Sequence, residues 1–162
     1  MIMEFFIEHT GYSEQRTLMY REDEFSFDME PWVYGLDFEI AVNTLTLTVV
    51  DGKIIQLNGF CGLNRKMKTN YNVPQNQKGE LRVLHPETYW DRAGCYGVNN
   101  EDWAVYVNVQ TGWVCIGNPE KKGSAVEFIN NCVAVIDDKE LVSLWLKPIK
   151  FPSFGICNLD LI

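Results

Sequence analysis

The sequence predicts a mostly β protein, or a β-rich α+β protein, whose antiparallel strands form a sandwich or a partly open barrel. Three observations support this fold class. Polar and apolar residues alternate along several segments, residues such as Gly, Asn and Asp separate those segments, and only one segment has a helix-start pattern. The chain has 162 residues, a usual length for one domain, so we expect a single domain over residues 1–162.

The clearest strand pair lies in residues 44–58, where Thr alternates with Leu or Val before an Asp-Gly pair and a second apolar stretch. A two-residue Asp-Gly turn would place polar residues opposite apolar ones across the hairpin. A three-residue loop, Val50–Gly52, instead pairs Leu47 with Ile55, so that both faces agree. The pattern therefore predicts a three-residue loop with Gly52 in the left-handed conformation, which glycine adopts without steric strain.

Two more hairpins are predicted further along the chain. The first covers residues 103–116, where both a two-residue and a three-residue turn keep the apolar residues on shared faces. The second covers residues 132–146 and turns through a four-residue loop, Asp137–Glu140, which pairs Val135 with Val142. Shorter strands are expected at residues 2–8, 17–21, 25–29 and 81–84.

Residues 61–79 are predicted to form a long polar loop, because Gly, Asn and Pro recur through them around the basic run Arg65–Lys68. Loops of this length without secondary structure are uncommon and often functional, although a flap without a role is the alternative.

One short helix is predicted near residues 124–131. Ser124 and Glu127 have the spacing of a capping box, in which each side chain satisfies the backbone N–H of the other residue. Asn131 would end the helix after about two turns. The β-branched residues of this segment leave a strand as the alternative.

The formal net charge of −8 comes entirely from the first quarter of the chain. Residues 1–40 hold ten acidic and two basic residues, whereas the remaining residues hold equal numbers of each. An acidic surface repels the phosphates of nucleic acids and anionic lipids, so the charge argues against nucleic-acid and membrane partners and favours a basic protein. The candidate partner-binding residues are Glu22, Asp23, Glu24, Asp28 and Glu30.

A second segment has the opposite charge. Residues 52–92 hold seven basic and three acidic residues. If this segment and residues 1–40 occupy different faces, the molecule is dipolar and steers a basic partner toward its acidic side. If the two segments pack together, their charges cancel locally and that steering argument fails.

The five cysteines are Cys61, Cys95, Cys115, Cys132 and Cys157. Their number is odd, no pair has C-x-x-C spacing, and the first residues do not form an export signal. We therefore expect a cytoplasmic protein with all five thiols free. Because only two histidines are present and no Cys/His ligands cluster, no metal or other cofactor is predicted.

The strongest catalytic combination is His85, Asp91 and Cys95, since a thiol nucleophile, an imidazole base and an orienting carboxylate form a Cys/His hydrolase site. The three residues lie within eleven positions of one another, whereas such triads are normally assembled from distant segments. The sequence therefore favours a protein that is not an enzyme.

Aromatic residues supply a different candidate site. A stacking platform for sugar rings or another small ligand would use side chains that fall on or beside predicted strands: Tyr89, Trp90, Trp103 and Trp113. The preferred function is a non-catalytic protein-interaction domain, of the immunity or inhibitor type, that binds a basic partner through an acidic N-terminal surface. A small-ligand or carbohydrate-binding module is the alternative, and a Cys/His hydrolase ranks third.

Overall fold

The computed structural model describes residues 2–63, 67–90 and 94–150. Within them the chain forms fifteen strands and one four-residue helix. The strands are β1 Phe5–Glu8, β2 Thr17–Arg21, β3 Ser26–Glu30, β4 Phe38–Val42, β5 Leu45–Val50, β6 Lys53–Phe60, β7 Met67–Lys68, β8 Gln77–Lys78, β9 Glu80–Val83, β10 Cys95–Gly97, β11 Val105–Asn108, β12 Trp113–Gly117, β13 Ser124–Ile129, β14 Cys132–Asp137 and β15 Glu140–Leu146. The helix is α1, Glu87–Trp90.

The strands form two mixed sheets, one of which is a curled half-barrel. The first sheet has the order β1-β9-β6-β5-β4-β10, and the β2–β3 hairpin joins it through β6. The second has the order β7-β11-β12-β15-β14-β13-β8. Most neighbouring strands are antiparallel, and the parallel pairs each involve a strand of only two or three residues. The predicted mostly β fold is confirmed.

Strand β6 has different neighbours along its length. One side pairs with β5, while on the other side Lys53 pairs with Arg82 of β9 and Gly59 pairs with Phe27 of β3. Gly59 has a φ of 136°, and a Cβ there would lie 2.4 Å from the carbonyl oxygen of Thr44. Only glycine fits at this position, so Gly59 allows the β2–β3 hairpin to pack against the end of β6.

One hydrophobic core joins the two sheets. Period-two alternation turns every second side chain inward, and the largest fully buried side chains come from both sheets. They include Phe5, Phe27 and Phe38 of the first sheet and Phe128 of the second. Burying one side chain of this size stabilises the fold by about 1.5–3 kcal/mol, so the packing of sheet on sheet is the main source of stability.

The predicted long loop crosses the outer face of the second sheet. Its strands β7 and β8 pair with β11 and β13 at opposite edges of that sheet, which lie about 29 Å apart in a flat sheet. The connection between them has a full reach of about 31 Å, so it is long enough to cross the sheet. Tyr71 and Val73 cover Trp145 and Cys115 in a second apolar cluster. We call residues 67–78 the strap.

The 44–58 hairpin forms, but its predicted loop and register are wrong. Val50 pairs with Lys53, which leaves a two-residue turn in which Asp51 and Gly52 have φ values of 52° and 77°. The register then shifts, so that Ile55 is an extra residue in a β-bulge. The bulge restores the agreement of faces that a regular two-residue hairpin would lose, and the positive φ predicted for Gly52 is confirmed.

The β14–β15 hairpin also combines a two-residue turn with a β-bulge that restores the agreement of faces. Its turn is Asp138-Lys139 rather than four residues, and Val135 pairs with Ser143 instead of Val142 because the strand carries a bulge. In the β11–β12 hairpin the loop has four residues, since Asn108 pairs with Trp113. That loop is longer than either of the two lengths considered from the sequence.

The predicted helix near residues 124–131 is wrong, because Ser124–Ile129 is strand β13 and pairs with β14. Glu127 does not complete a capping box. Its carboxylate instead accepts a hydrogen bond at 2.9 Å from the backbone N–H of Asn131, in the turn that follows the strand. Pairing with β14 satisfies more backbone groups than two helical turns would. The described helix, α1, lies instead at Glu87–Trp90.

We predict that Gly52→Ala lowers the free energy of unfolding by about 1 kcal/mol or more, because alanine is strained at positive φ. A Cβ at this position would also lie 3.2 Å from Cγ of Pro86. Gly52→Asn is the matched control, since it adds the same Cβ but asparagine enters the left-handed region more readily. Urea unfolding should give the order glycine, asparagine, alanine, and equal midpoints for all three would contradict the strain argument.

Candidate functional site

The acidic residues singled out from the sequence all lie on the β2–β3 hairpin. Glu22, Asp23 and Glu24 are exposed and form its turn, which we call the acidic turn. Asp28 lies within β3, where it accepts a hydrogen bond from Nε of Arg21 at 3.1 Å. Residues 17–30 contain five acidic residues and a single basic one, so the hairpin itself has a formal charge of −4.

Arg21 lies within the electrostatic influence of several of these acids. The hydrogen bond and charge of Asp28 raise the pKa of Arg21, and the charges of Glu24 and Glu30 add to the effect. Glu30 is nevertheless at the opposite end of β3 from the turn, about 13 Å along the strand and opposite Thr17. Three of the five candidates therefore form one tight group, and Asp28 and Glu30 extend it along the hairpin.

The two oppositely charged segments do not occupy different faces, so the dipolar arrangement fails. Strand β1 pairs with β9 and β3 pairs with β6, which interleaves the segments within one sheet. Nζ of Lys53 lies 2.8 Å from Glu14, and Nε of Arg82 lies 3.8 Å from Glu8. The charges cancel locally in this part of the sheet, and the hairpin holds the concentrated negative charge.

Two exposed phenylalanines lie beside the acidic turn. Phe25 is 42% exposed and Phe60 is 65% exposed. They are neighbours, because Ser26 pairs with Phe60 and the backbone N–H of Cys61 donates to the carbonyl of Phe25 at 2.8 Å. We call them the phenylalanine pair. They line a cleft of about 150 Å³ that also includes Asp102 of the segment before β11.

Neither phenylalanine of this pair is predicted as a surface residue from the sequence. Phe25 shares the alternation of Phe27 and Met29, which indicated a third buried strand residue. In the structure Phe25 belongs to the turn and has a φ of 54°, which aims its side chain away from the face that buries Phe27. The alternation carries no signal for this change, because a turn residue is not bound by the two-residue period.

A larger groove, of about 620 Å³, lies at one end of the second sheet. Its lining includes the aromatic residues Trp103 and Tyr106 and a set of polar side chains. We call it the tryptophan groove. The polar residues in its lining are Asp102, Asn118, Lys121 and Glu140.

Two asparagines hold the wall of the tryptophan groove. The Oδ1 of Asn43 accepts from the backbone N–H of Trp103 at 2.8 Å, and its Nδ2 donates to the Trp103 carbonyl at 3.0 Å. Asn99 donates to the same Oδ1 at 2.7 Å and to the carbonyl of Glu101 at 2.9 Å. A Cβ on Gly117 would lie 3.1 Å from the Trp103 ring, so glycine lets that ring lie close to the backbone of β12.

The four aromatic residues expected to form a stacking platform lie in different environments. Tyr89 is buried against Phe38 and Tyr96, with ring centroids 5.2 and 4.9 Å away. Trp90 is 46% exposed on α1, and Trp113 packs with the outer apolar cluster under the strap. Trp103 alone of the four lines the tryptophan groove, where its aromatic neighbour is Tyr106.

The catalytic combination is not assembled among the described residues, and Asp91 lies outside them. His85 is exposed, and its Nδ1 lies 3.6 Å from Glu87. Burial and the negative charge of Glu39 raise the pKa of the Cys95 thiol, whereas a thiol nucleophile requires a lowered pKa. The geometry therefore gives no support to a Cys/His hydrolase.

The described residues contain no group of three or more His, Cys, Asp or Glu side chains placed to bind a metal ion. The described part of the chain also has no helix with the length and hydrophobicity that a membrane span requires. Comparison of the chain with protein-family models, curated proteins and solved structures gave no match. The surface itself must therefore carry the functional argument.

The described cysteines, Cys61, Cys95, Cys115 and Cys132, form no disulfide with one another, and Cys157 lies outside the described residues. Burial raises the pKa of Cys115 to about 12 and that of Cys132 well above its ordinary value.

We predict that iodoacetamide modifies Cys95 in the native protein well before Cys115 or Cys132, because only Cys95 of the three is exposed. Because the pKa of Cys95 is raised, the rate of its modification should continue to increase as the pH rises beyond about 8.5, the ordinary pKa of a thiol.

Peptide mass spectrometry of timed samples measures this order. In denaturant, thiol titration without reductant should return five equivalents, which also tests Cys157. Equal native rates for Cys95 and Cys132, or fewer than five thiols in denaturant, would contradict the assignment.

Proposed function

We propose that this protein is a non-catalytic interaction domain that binds a basic protein through the acidic turn and the phenylalanine pair. One observation carries the proposal, namely that two exposed aromatic rings lie next to a turn of three exposed carboxylates. Protein interfaces combine an apolar centre rich in aromatic residues with a polar rim. The pair would supply the centre and the turn would supply the rim.

Charge supports a basic partner. The hairpin has five acidic residues against one basic residue, and exposed charges of this kind contribute little to folding. They do raise the rate at which an oppositely charged protein arrives, because long-range attraction guides the diffusional encounter. We favour the role of an inhibitor or immunity protein that covers the basic surface of an enzyme.

The rigidity of the surface also supports binding. The hydroxyl of Tyr20 donates to the carbonyl of Cys61 at 2.6 Å and accepts from the backbone N–H of Leu63 at 3.2 Å. The Thr44 hydroxyl donates to the carbonyl of Phe60. Together with the hydrogen bond from the Cys61 N–H to the Phe25 carbonyl, these bonds hold the backbone next to both phenylalanines, so that less backbone entropy is lost when a partner binds.

A second candidate function is the binding of a small ligand in the tryptophan groove. Its volume of about 620 Å³ is within the range of roughly 300–1,000 Å³ that is usual for ligand pockets. The Trp103 and Tyr106 rings next to polar side chains would suit a sugar. Titration with simple mono- and disaccharides, followed by tryptophan fluorescence, tests this function.

We predict that the triple variant Glu22→Gln, Asp23→Asn, Glu24→Gln slows association with a basic partner by about tenfold at low salt. The loss should shrink at high salt, where the wild type is slowed as well. Phe25→Ser with Phe60→Ser should instead accelerate dissociation, because it removes apolar contact rather than charge. The fold should survive all of these exposed changes, as checked by circular dichroism.

The control variant Glu4→Gln, Glu101→Gln, Asp138→Asn removes the same charge from exposed positions elsewhere. Immobilised proteins are exposed to a soluble extract of cells that produce this protein, and retained proteins are quantified by mass spectrometry. A basic protein retained by the wild type and the control, but lost from the turn and phenylalanine variants, supports the proposal. Retention that is unchanged in both the acidic-turn variant and the phenylalanine variant would refute the proposal.

A further inference from the structure

The tryptophan groove continues from the surface that we propose for partner binding. Asp102 lines both the cleft at the phenylalanine pair and the groove itself. The same end of β11 and β12 borders both, since Val105 and Ile116 line the cleft while Ala104 and Gly117 line the groove. A polypeptide that crosses the phenylalanine pair therefore reaches the groove without leaving the surface.

The groove has two carboxylates in its lining. Asp102 and Glu140 are exposed, and neither makes an ion pair with any basic residue among those the structure describes. Lys121 is the cationic member of the described lining, and its Nζ lies 3.4 Å from Asp137. That ion pair occupies the lysine, so the charge offered to a ligand is negative.

Two aromatic rings complete the environment. Trp103 and Tyr106 line the same groove, and Tyr106 is held in turn by an edge-to-face contact with Tyr71 of the strap, with ring centroids 5.6 Å apart. Aromatic faces attract cations, most strongly where water is partly excluded. A cation bound in this groove would lie near both aromatic residues and near carboxylate oxygens.

We propose that the tryptophan groove binds an arginine side chain of the basic partner. The planar guanidinium stacks on aromatic rings and donates several hydrogen bonds to carboxylates, whereas the compact lysine ammonium is more strongly hydrated and does not stack. The inference rests on the proposed function and names the partner residue that enters this site. A neutral sugar could also donate hydroxyl hydrogen bonds to these carboxylates, but only a cation would add charge attraction to two carboxylates that pair with no described basic residue.

The backbone clamp on Trp103 prepares the site. Asn43 binds both backbone polar groups of Trp103, and Asn99 fixes Asn43. The backbone of Trp103 is therefore held in place before the ligand arrives. Asn43 acts as a positioning residue, and Asn43→Ala should weaken arginine binding while leaving the preference for arginine over an uncharged isostere intact, because the carboxylates remain.

The probe is the peptide acetyl-Gly-Arg-Gly-amide, compared with the same peptide carrying citrulline, which keeps the shape of arginine without its charge. Binding is followed by NMR from the indole N–H signal of Trp103, assigned with Trp103→Phe. We expect the arginine peptide to shift this signal and to bind about tenfold more tightly than the citrulline peptide. Asp102→Asn with Glu140→Gln should abolish that preference, whereas Glu101→Gln with Asp138→Asn should retain it.

Three results would overturn the inference. The arginine and citrulline peptides could bind equally, or the preference for arginine could survive the Asp102 and Glu140 substitutions. Glucose or N-acetylglucosamine could also shift the Trp103 signal instead of the arginine peptide. The proposed function is judged separately. If a basic partner still depends on the acidic turn while the arginine peptide fails to bind, only the arginine site is wrong. If the peptide binds as expected but no partner depends on the turn, the proposed function is wrong and the cation site stands.

Discussion

The division of β6 between two neighbouring strands is the constraint on which the candidate surface depends. Its first residue pairs with β9, and its last residues pair with β3. Backbone groups along a buried strand must all find partners, so the β2–β3 hairpin can pair only where β9 has ended. This fixes the acidic turn and Phe25 beside the end of β6, where Phe60 is exposed. Gly59 makes the arrangement possible, since any side chain there would meet the backbone at Thr44.

The electrostatics follow from the same topology. Where β1 and β9 run side by side, an acidic and a basic segment lie next to each other and form ion pairs such as Arg82–Glu8. Among the described strands, the hairpin has one neighbour outside itself, β6, and near the turn that neighbour contributes Phe60 and Gly59 rather than lysine or arginine. The local excess of carboxylates is therefore a consequence of which strands are adjacent. Net charge summed along the sequence does not contain that information.

The tight hairpins show why pattern reasoning located the strands but misplaced their registers. Alternation at residues 44–58 identified both strands and the glycine of the turn. The loop length was derived on the assumption that both strands are regular. In the structure Ile55 is an extra residue in one strand and Val142 plays the same part in β15, so a two-residue turn becomes compatible with agreeing faces. A bulge shifts the alternation of the two faces by one residue, and no residue type in the sequence marks its position.

The sequence alone determined the β-rich class, the position of the main strands and the left-handed glycine at Gly52, because alternation and turn residues are local properties. It also located the acidic residues beside two predicted short strands and named Trp103 as a candidate ligand residue. The tertiary structure decided the rest. Segment 124–129 became a strand because β14 offered backbone partners that an isolated short helix lacks. Phe60 and Tyr106 belong to the candidate sites because strands distant in the sequence come together there. Local sequence patterns do not show which distant segments become neighbours.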